Sequence, residues 1–380
     1  MSTEGETIHT KKLRIFVGPG NTAGNAHYIA RSLRSVGVKA KSYVYHAHEF
    51  GYPVDKEIIQ LKSVRRKGAI KLVNNRFILR PVNAVIRFLF FISVLFRYDL
   101  FYFISPITFF ENHLDLAVLK FFGKKVAFFF PGCAERNPHD DLNAMKYSDC
   151  WFCNDVGKQR YCLCHRPDEK RSRIEYFEKK ADFIFSRPNT SGFLKNPEKA
   201  LPMWLMTDPP GQPVDLSRYS GVGIWKIMHF PSHQELKGTR YVEAAIARLN
   251  GKYKIEYLSR RMTNREVLEN LGKAHILVDQ FTHTFGLLAI EGLSRGCVVI
   301  CRMEEWARSC YPDIPVVSCN PEDLEETIDG LLADPERMQK IAEASVQWFR
   351  ENASLQVVGK RMLNGFQTNS VLNKYFEHTD

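Results

Sequence analysis

The chain has 380 residues, 44% of them hydrophobic and 25% charged, with a formal net charge of +11. This composition is ordinary for a soluble globular protein, and the length suits two domains of about 150–200 residues each better than one. The positive excess favours an anionic partner (nucleic acid, a membrane surface or a phosphorylated small molecule) without choosing among them.

The opening "MSTEGETIHTKK" is polar and has no apolar core, so a secretory signal is not expected. Nine cysteines, an odd number, argue for a reducing compartment and against a disulfide framework. The expectation is a cytoplasmic protein. Residues 13–17, "LRIFV", form a β-rich run that leads into the glycine loop "GPGNTAG". A helix follows, with Ile29, Leu33 and Val36 at helical spacing and Gly37 as its stop. "VKAKSYVY" restarts as a strand, so the chain opens as a βαβ unit with a parallel sheet.

Between Glu57 and Asp99 there is no acidic residue, whereas Lys62, Arg65, Arg66, Lys67, Lys71, Arg76, Arg80, Arg87 and Arg97 are all cationic. The apolar run "VIRFLFFISVLF", 85–96, is interleaved with them. Pro81 and Arg87 leave it short of the roughly 20 apolar residues a membrane span needs. Residues 62–97 therefore read as a peripheral membrane patch, with cations on headgroups and Phe and Leu below them. A core helix with basic flanks is the alternative. No nucleic-acid motif accompanies the charge, so nucleic acid is not expected as a partner.

Further strands are expected at 99–104, 124–130 and 182–186. The segment "CWFCNDVGKQRYCLCH", 150–165, brings together Cys150, Cys153, Cys162 and Cys164. Four thiolates can clamp a structural zinc ion, and His165 could replace Cys164 because C-x-C is a less usual spacing. Unrelated buried cysteines or a redox pair are the other readings. Residues 207–223, with three prolines and three glycines, read as a linker.

A second alternation follows: strand 225–230, helix 238–249, strand 252–258, helix 264–272, strand 275–279, helix 286–295 and strand 297–301. It closes with "PVVSC" and helices at 321–333 and 335–351. Both halves read as doubly wound α/β. Such sheets bind ligands beyond the carboxyl ends of their strands, which directs attention to the loops starting at Gly18, Phe230 and Gln280.

Four segments carry a resemblance. They are "VGPGNTAGNAHYIARSLRSVG", "RYDLFYFI…LDLAVLKFFGKKVAFFFPGCAER", "HFPSHQELKGTRYVEAAIARL" and "ILVDQFTHTFGLLAIEGLSRGCVVICR". In this order they resemble the GT-B nucleotide-sugar glycosyltransferases of the family-4 type (glycosyl transferases group 1), which implies an α/β fold of two Rossmann-like domains facing a cleft. The resemblance implies a glycosyltransferase that moves a sugar, with retention, from a UDP-, GDP- or ADP-linked donor to a glycan or lipid-linked acceptor. No cofactor is required for that chemistry. It implies an acceptor-side domain over 1–206, the linker 207–223, a donor domain over 224–350, and a helical tail, 351–380, packing back on the first domain.

By the same resemblance, donor contacts fall on Gly18, Gly20, Asn21, His229, Ser232, Lys237, Gly238, Phe285, Gly286, Leu287 and Glu291. Gly132, Glu135 and Arg136 fall on the acceptor side. Lys237 would meet the diphosphate and Glu291 the ribose hydroxyls, in a helix whose N-terminus favours anions. Lys237, His283 and Glu291 are the candidate catalytic residues. The chain departs from the family where His283 replaces the first of two glutamates, and where Pro131 and Ala134 replace a histidine and an aspartate tied to sugar handling. A donor-binding scaffold without turnover is the alternative these changes favour.

Overall fold

The computed structural model describes residues 13–60, 76–132, 147, 166–282, 284–368 and 372. The cysteine cluster 150–165, Ala134, Glu135, Arg136, His283 and residues 62–75 of the basic shoulder lie outside the described residues.

Two parallel sheets organise the molecule. The first has the order β3-β2-β1-β4-β5-β6-β7. Its strands are β1 (Arg14–Val17), β2 (Lys39–Val44), β3 (Lys56–Glu57), β4 (Leu100–Ile104), β5 (Lys125–Phe130), β6 (Phe183–Ser186) and β7 (Ala200–Pro202). The second has the order β12-β11-β10-β8-β9. It comprises β8 (Trp225–His229), β9 (Ile255–Ser259), β10 (Ile276–Val278), β11 (Val298–Cys301) and β12 (Val317–Ser318). The central strands are apolar without alternation, "LFYFI" in β4 and "KVAFFF" in β5, and every residue of β4 is buried. That is the pattern of a parallel sheet covered on both faces.

Helix α1 (Asn25–Ser35) covers one face of the first sheet, and α2 (Arg76–Leu95) and α3 (Leu114–Phe121) lie on the other. Helix α2 is longer than the apolar run at 85–96, and it accommodates Pro81 in its second turn. Phe91, Val94 and Leu95 turn inward, whereas Val85, Phe88, Leu89, Ile92 and Phe96 are exposed. These exposed positions recur at helical spacing, so α2 presents apolar side chains on both of its faces. Among the described residues, no helix is long and apolar enough to cross a membrane.

The chain crosses back after the second domain. Helix α12 (Leu355–Gln367), the last of the described helices, packs lengthwise on α1. Ser32 Oγ donates to the Leu355 carbonyl at 2.6 Å, and Phe366 packs edge-on against Phe183 and Phe185. The backbones approach so closely that a Cβ on Gly359 would stand 2.3 Å from the Ser32 carbonyl oxygen. The segment read as a linker is partly seated in the second domain. Tyr219 is buried, and its hydroxyl donates to the His275 and Gly296 carbonyls at 2.8 Å. Loops that follow strands of both sheets line the space between them.

Candidate active site

A cavity of about 340 Å³ opens between the carboxyl ends of the two sheets. From the first domain come Thr22 and Ala23, ahead of α1, and His48 to Tyr52, after β2. From the second come Phe230 to His233 after β8, Lys237, Arg261 to Asn264 after β9, and Leu287, Leu288 and Glu291. Two of these walls touch. Asn264 N–H donates to the Phe50 carbonyl at 2.7 Å. Arg261 pairs with Glu49 at 2.5 Å and lies over the Phe50 ring at 4.7 Å.

Lys237 ends the short helix α5 (Gln234–Lys237), and Gly238 turns the chain into α6 (Thr239–Leu249). Gly238 has φ 72°, and a Cβ there would meet the Phe281 ring at 2.6 Å, so this joint requires glycine. The Lys237 ammonium contacts Asp279 Oδ1 at 3.3 Å and also Gln280 Oε1. Asp279 is fully buried, and its Oδ2 accepts the Gly286 N–H at 2.6 Å.

Glu291 lies on α8 (Leu287–Leu293), after α7 (Asn264–Leu271) in the chain. Helix α8 is otherwise apolar, and Gly292 lets it sit against Leu277 and Val299. Glu291 is 1% exposed. Burial pushes its carboxyl up to about 7, with Asn264 and Arg295 opposing the shift and Asp279 adding to it. Its Oε1 accepts from Asn264 Nδ2 at 2.7 Å, and no hydrogen bond to Oε2 is made among the described residues. Tyr52, from the first domain, has its phenol pushed well up by burial and by Glu291. The lone acid of α8 therefore faces an aromatic wall across the cleft.

The remaining expected contacts divide. Ser232 and Leu287 line the cavity with Lys237 and Glu291. His229 does not. It is fully buried, with Nδ1 2.9 Å from the Val278 carbonyl and Nε2 2.9 Å from Thr239 Oγ1. A carbonyl only accepts, so Nδ1 carries the proton and Thr239 donates to Nε2. Burial holds this imidazole down at about 4, a neutral strut between β8, β10 and α6. Phe285 is likewise core: it packs edge-on against Tyr311 at 4.8 Å, and Arg187 Nη2 donates to its carbonyl at 3.1 Å.

The Gly286 N–H is taken by Asp279, and α8 has only seven residues, so the helix end is not an open anion cradle in this state. Gly18 and Gly20 pack on the ends of β2 and β4: a Cβ would lie 1.9 Å from the Tyr43 oxygen and 2.5 Å from the Ile104 oxygen. The Asn21 amide, beside them, is buried with no hydrogen-bond partner among the described residues. Gly132 closes β5 with φ 78°, on the first-domain side. Among the described residues, no group of three or more His, Cys, Asp or Glu could hold a metal ion.

The walls formed by His48 to Tyr52 and Arg261 to Asn264 were not among the expected contacts. Both follow strands, β2 and β9, so the rule that singled out the loops at Gly18, Phe230 and Gln280 applies to them equally.

The fold has counterparts among solved structures. Sucrose-phosphate synthase from Thermosynechococcus elongatus matches with a TM-score of 0.56 at 12% identity, over 94% of this chain and 99% of that one. Anabaena HepE in complex with UDP-glucose matches at 0.56 and 9% identity, over 94% and 100%. A glycosyltransferase from Rickettsia africae matches at 0.58 and 14% identity, over 94% and 98%. The fold is GT-B. The sequence matches no protein-family model and no curated protein. In this GT-B chain, Lys237 and Glu291 both reach the cleft from the second domain, and Phe50 and Tyr52 line it from the first.

Proposed function

We propose that the chain is a glycosyltransferase that takes a sugar from a nucleoside-diphosphate donor bound between its domains. The observation that carries this reading is one cavity in which an ammonium, Lys237, and a buried carboxylate, Glu291, converge from the second domain on the loops of the first. Lys237 supplies a positive charge opposite the negative charge that a departing diphosphate develops, where a fixed cation stabilises the transition state most. Glu291 Oε2 accepts from the ribose hydroxyls while Asn264 holds Oε1. Transfer with retention needs the acceptor hydroxyl and the leaving diphosphate on one sugar face, which is a matter of positioning and calls for no protein nucleophile.

The acceptor is a glycan or a lipid-linked molecule at a membrane surface, in the family-4 manner. The outward stripe of α2 supports this reading: Val85, Phe88, Leu89, Ile92 and Phe96 are exposed, with Arg80 and Arg97 exposed beside them. Anabaena HepE was solved in complex with UDP-glucose, which puts a uridine donor first in any panel.

The test is a thermal-shift series with UDP, GDP, ADP and their sugars. A ligand at 100 times its dissociation constant stabilises the fold by about 2.7 kcal/mol. No shift with any nucleotide would overturn the proposal. The alternative, a donor-binding scaffold without turnover, is favoured by the internal satisfaction of Lys237 and of the Gly286 N–H. Slow donor hydrolysis by the wild-type chain that Lys237→Ala abolishes would exclude the scaffold.

A further inference from the structure

Asp279 is the carboxylate that the donor reading leaves without a role. It stands one residue beyond the carboxyl end of β10, is fully buried, and is not part of the cavity wall. Its two oxygens hold two different groups: Oδ1 the Lys237 ammonium at 3.3 Å, and Oδ2 the Gly286 N–H at 2.6 Å. Gln280 Oε1 completes the ring around the ammonium. A Cβ on Gly286 would sit 3.3 Å from Asp279 Oδ2 and 3.4 Å from Gln280 Oε1, so the 279–286 loop closes tightly on this pair. Lys237, by contrast, is 18% exposed and does line the cavity. The cation that faces the cleft is thus neutralised from behind by an anion that solvent does not reach.

We infer that Asp279 is an internal competitor for the anion that Lys237 binds, so that a polyanionic diphosphate enters by taking the ammonium over from this carboxylate. The inference rests on the donor reading of Lys237. Two anions sharing one ammonium repel each other. A singly charged ligand brings no more charge than Asp279 already does. A diphosphate brings more, and the exchange runs in its favour. Asp279 acts through Lys237 and is therefore a positioning residue that selects for ligand charge.

Asp279→Asn separates this from a purely structural role, because the two predict opposite signs. An asparagine oxygen still accepts from Gly286 N–H, while its NH2 group turns toward Lys237, cannot accept from it, and releases the ammonium. Removing a unit charge several ångströms from a bound anion in a partly solvated cleft is worth at least about tenfold in affinity. Calorimetric titration of the full chain at fixed ionic strength is expected to show inorganic pyrophosphate and UDP binding at least about tenfold tighter to Asp279→Asn than to wild type. Lys237→Ala is expected to lose that binding.

Equal or weaker binding by an Asp279→Asn protein with wild-type circular dichroism overturns the inference; if wild type still binds UDP, the donor reading stands. Absence of pyrophosphate, UDP, GDP and ADP binding in both proteins overturns the two together. Should Asp279→Asn fail to fold, crystals of the wild-type chain grown with pyrophosphate decide. The Lys237–Asp279 separation is expected to open beyond about 4 Å, the limit of an ion pair. An anion bound with that pair intact overturns the inference.

Discussion

Replacing Glu291 by Gln tests the site through its electrostatics without changing its shape. Glutamine keeps an oxygen to accept from Asn264 Nδ2, the 2.7 Å bond that orients the native side chain. What disappears is the titration. Burial lifts the Glu291 carboxyl from 4.5 to about 7, so between those values the folded chain keeps a proton that the unfolded chain has released. The folded state then binds more protons than the unfolded state, and native stability falls as pH rises through this window.

Each pKa unit corresponds to about 1.4 kcal/mol, so the full cost above pH 7 is about 3 kcal/mol. Glutamine does not pay it. The expected outcome is a Glu291→Gln protein equal to wild type at pH 4.5 and more stable by up to about 3 kcal/mol at pH 8. For a chain of this length that is about 4 °C in melting temperature. The same substitution removes a charged acceptor from the ribose site and is expected to weaken nucleotide binding by roughly 10- to 100-fold. Melting curves at pH 4.5, 6 and 8, with and without UDP, measure both effects. A melting difference that is the same at all three pH values would refute the placement of an ionisable, desolvated carboxylate at this position. So would a variant less stable at pH 8.

Other expectations follow from single contacts. Lys237→Ala should leave the melting temperature of the free protein nearly unchanged or lower it, because Asp279 loses its counter-ion, and should abolish stabilisation by nucleoside diphosphates in the same melts. Leu89→Glu, on the exposed face of α2, should reduce co-sedimentation with anionic vesicles at least about tenfold while leaving nucleotide binding intact; equal sedimentation would remove the membrane assignment of that helix. Gly359→Ala places a methyl 2.3 Å from the Ser32 carbonyl and should destabilise the chain by about 1–3 kcal/mol in urea titrations, through the contact of α12 with α1.

Much of the architecture was legible because long apolar strands and amphipathic helices write their period into the chain. The βαβ opening, the strands β4 to β6 and the alternation from β8 to α8 fall within a few residues of the expected positions. The short edge strands β3 and β7, of two and three residues, were missed, since so few residues carry no readable alternation. Within the site, "ELKGT" and the single acid of "FGLLAIEGL" pointed to Lys237 and Glu291, and both line the cavity. His229 and Phe285 come from the same motifs and are buried in the core.

Local pattern in the sequence was enough to determine two parallel α/β domains and the order of their motifs, since periodicity, turn glycines and composition act over a few residues at a time. The state of the site depended on approaches between distant segments. His48 to Tyr52 meet Arg261 to Asn264 across the cleft, α12 returns to α1, and Asp279 turns back to hold both Lys237 and the Gly286 N–H. Desolvation raises Glu291 and lowers His229 in opposite directions from unremarkable starting values, and it exists only once both sheets and their helices have closed around these side chains.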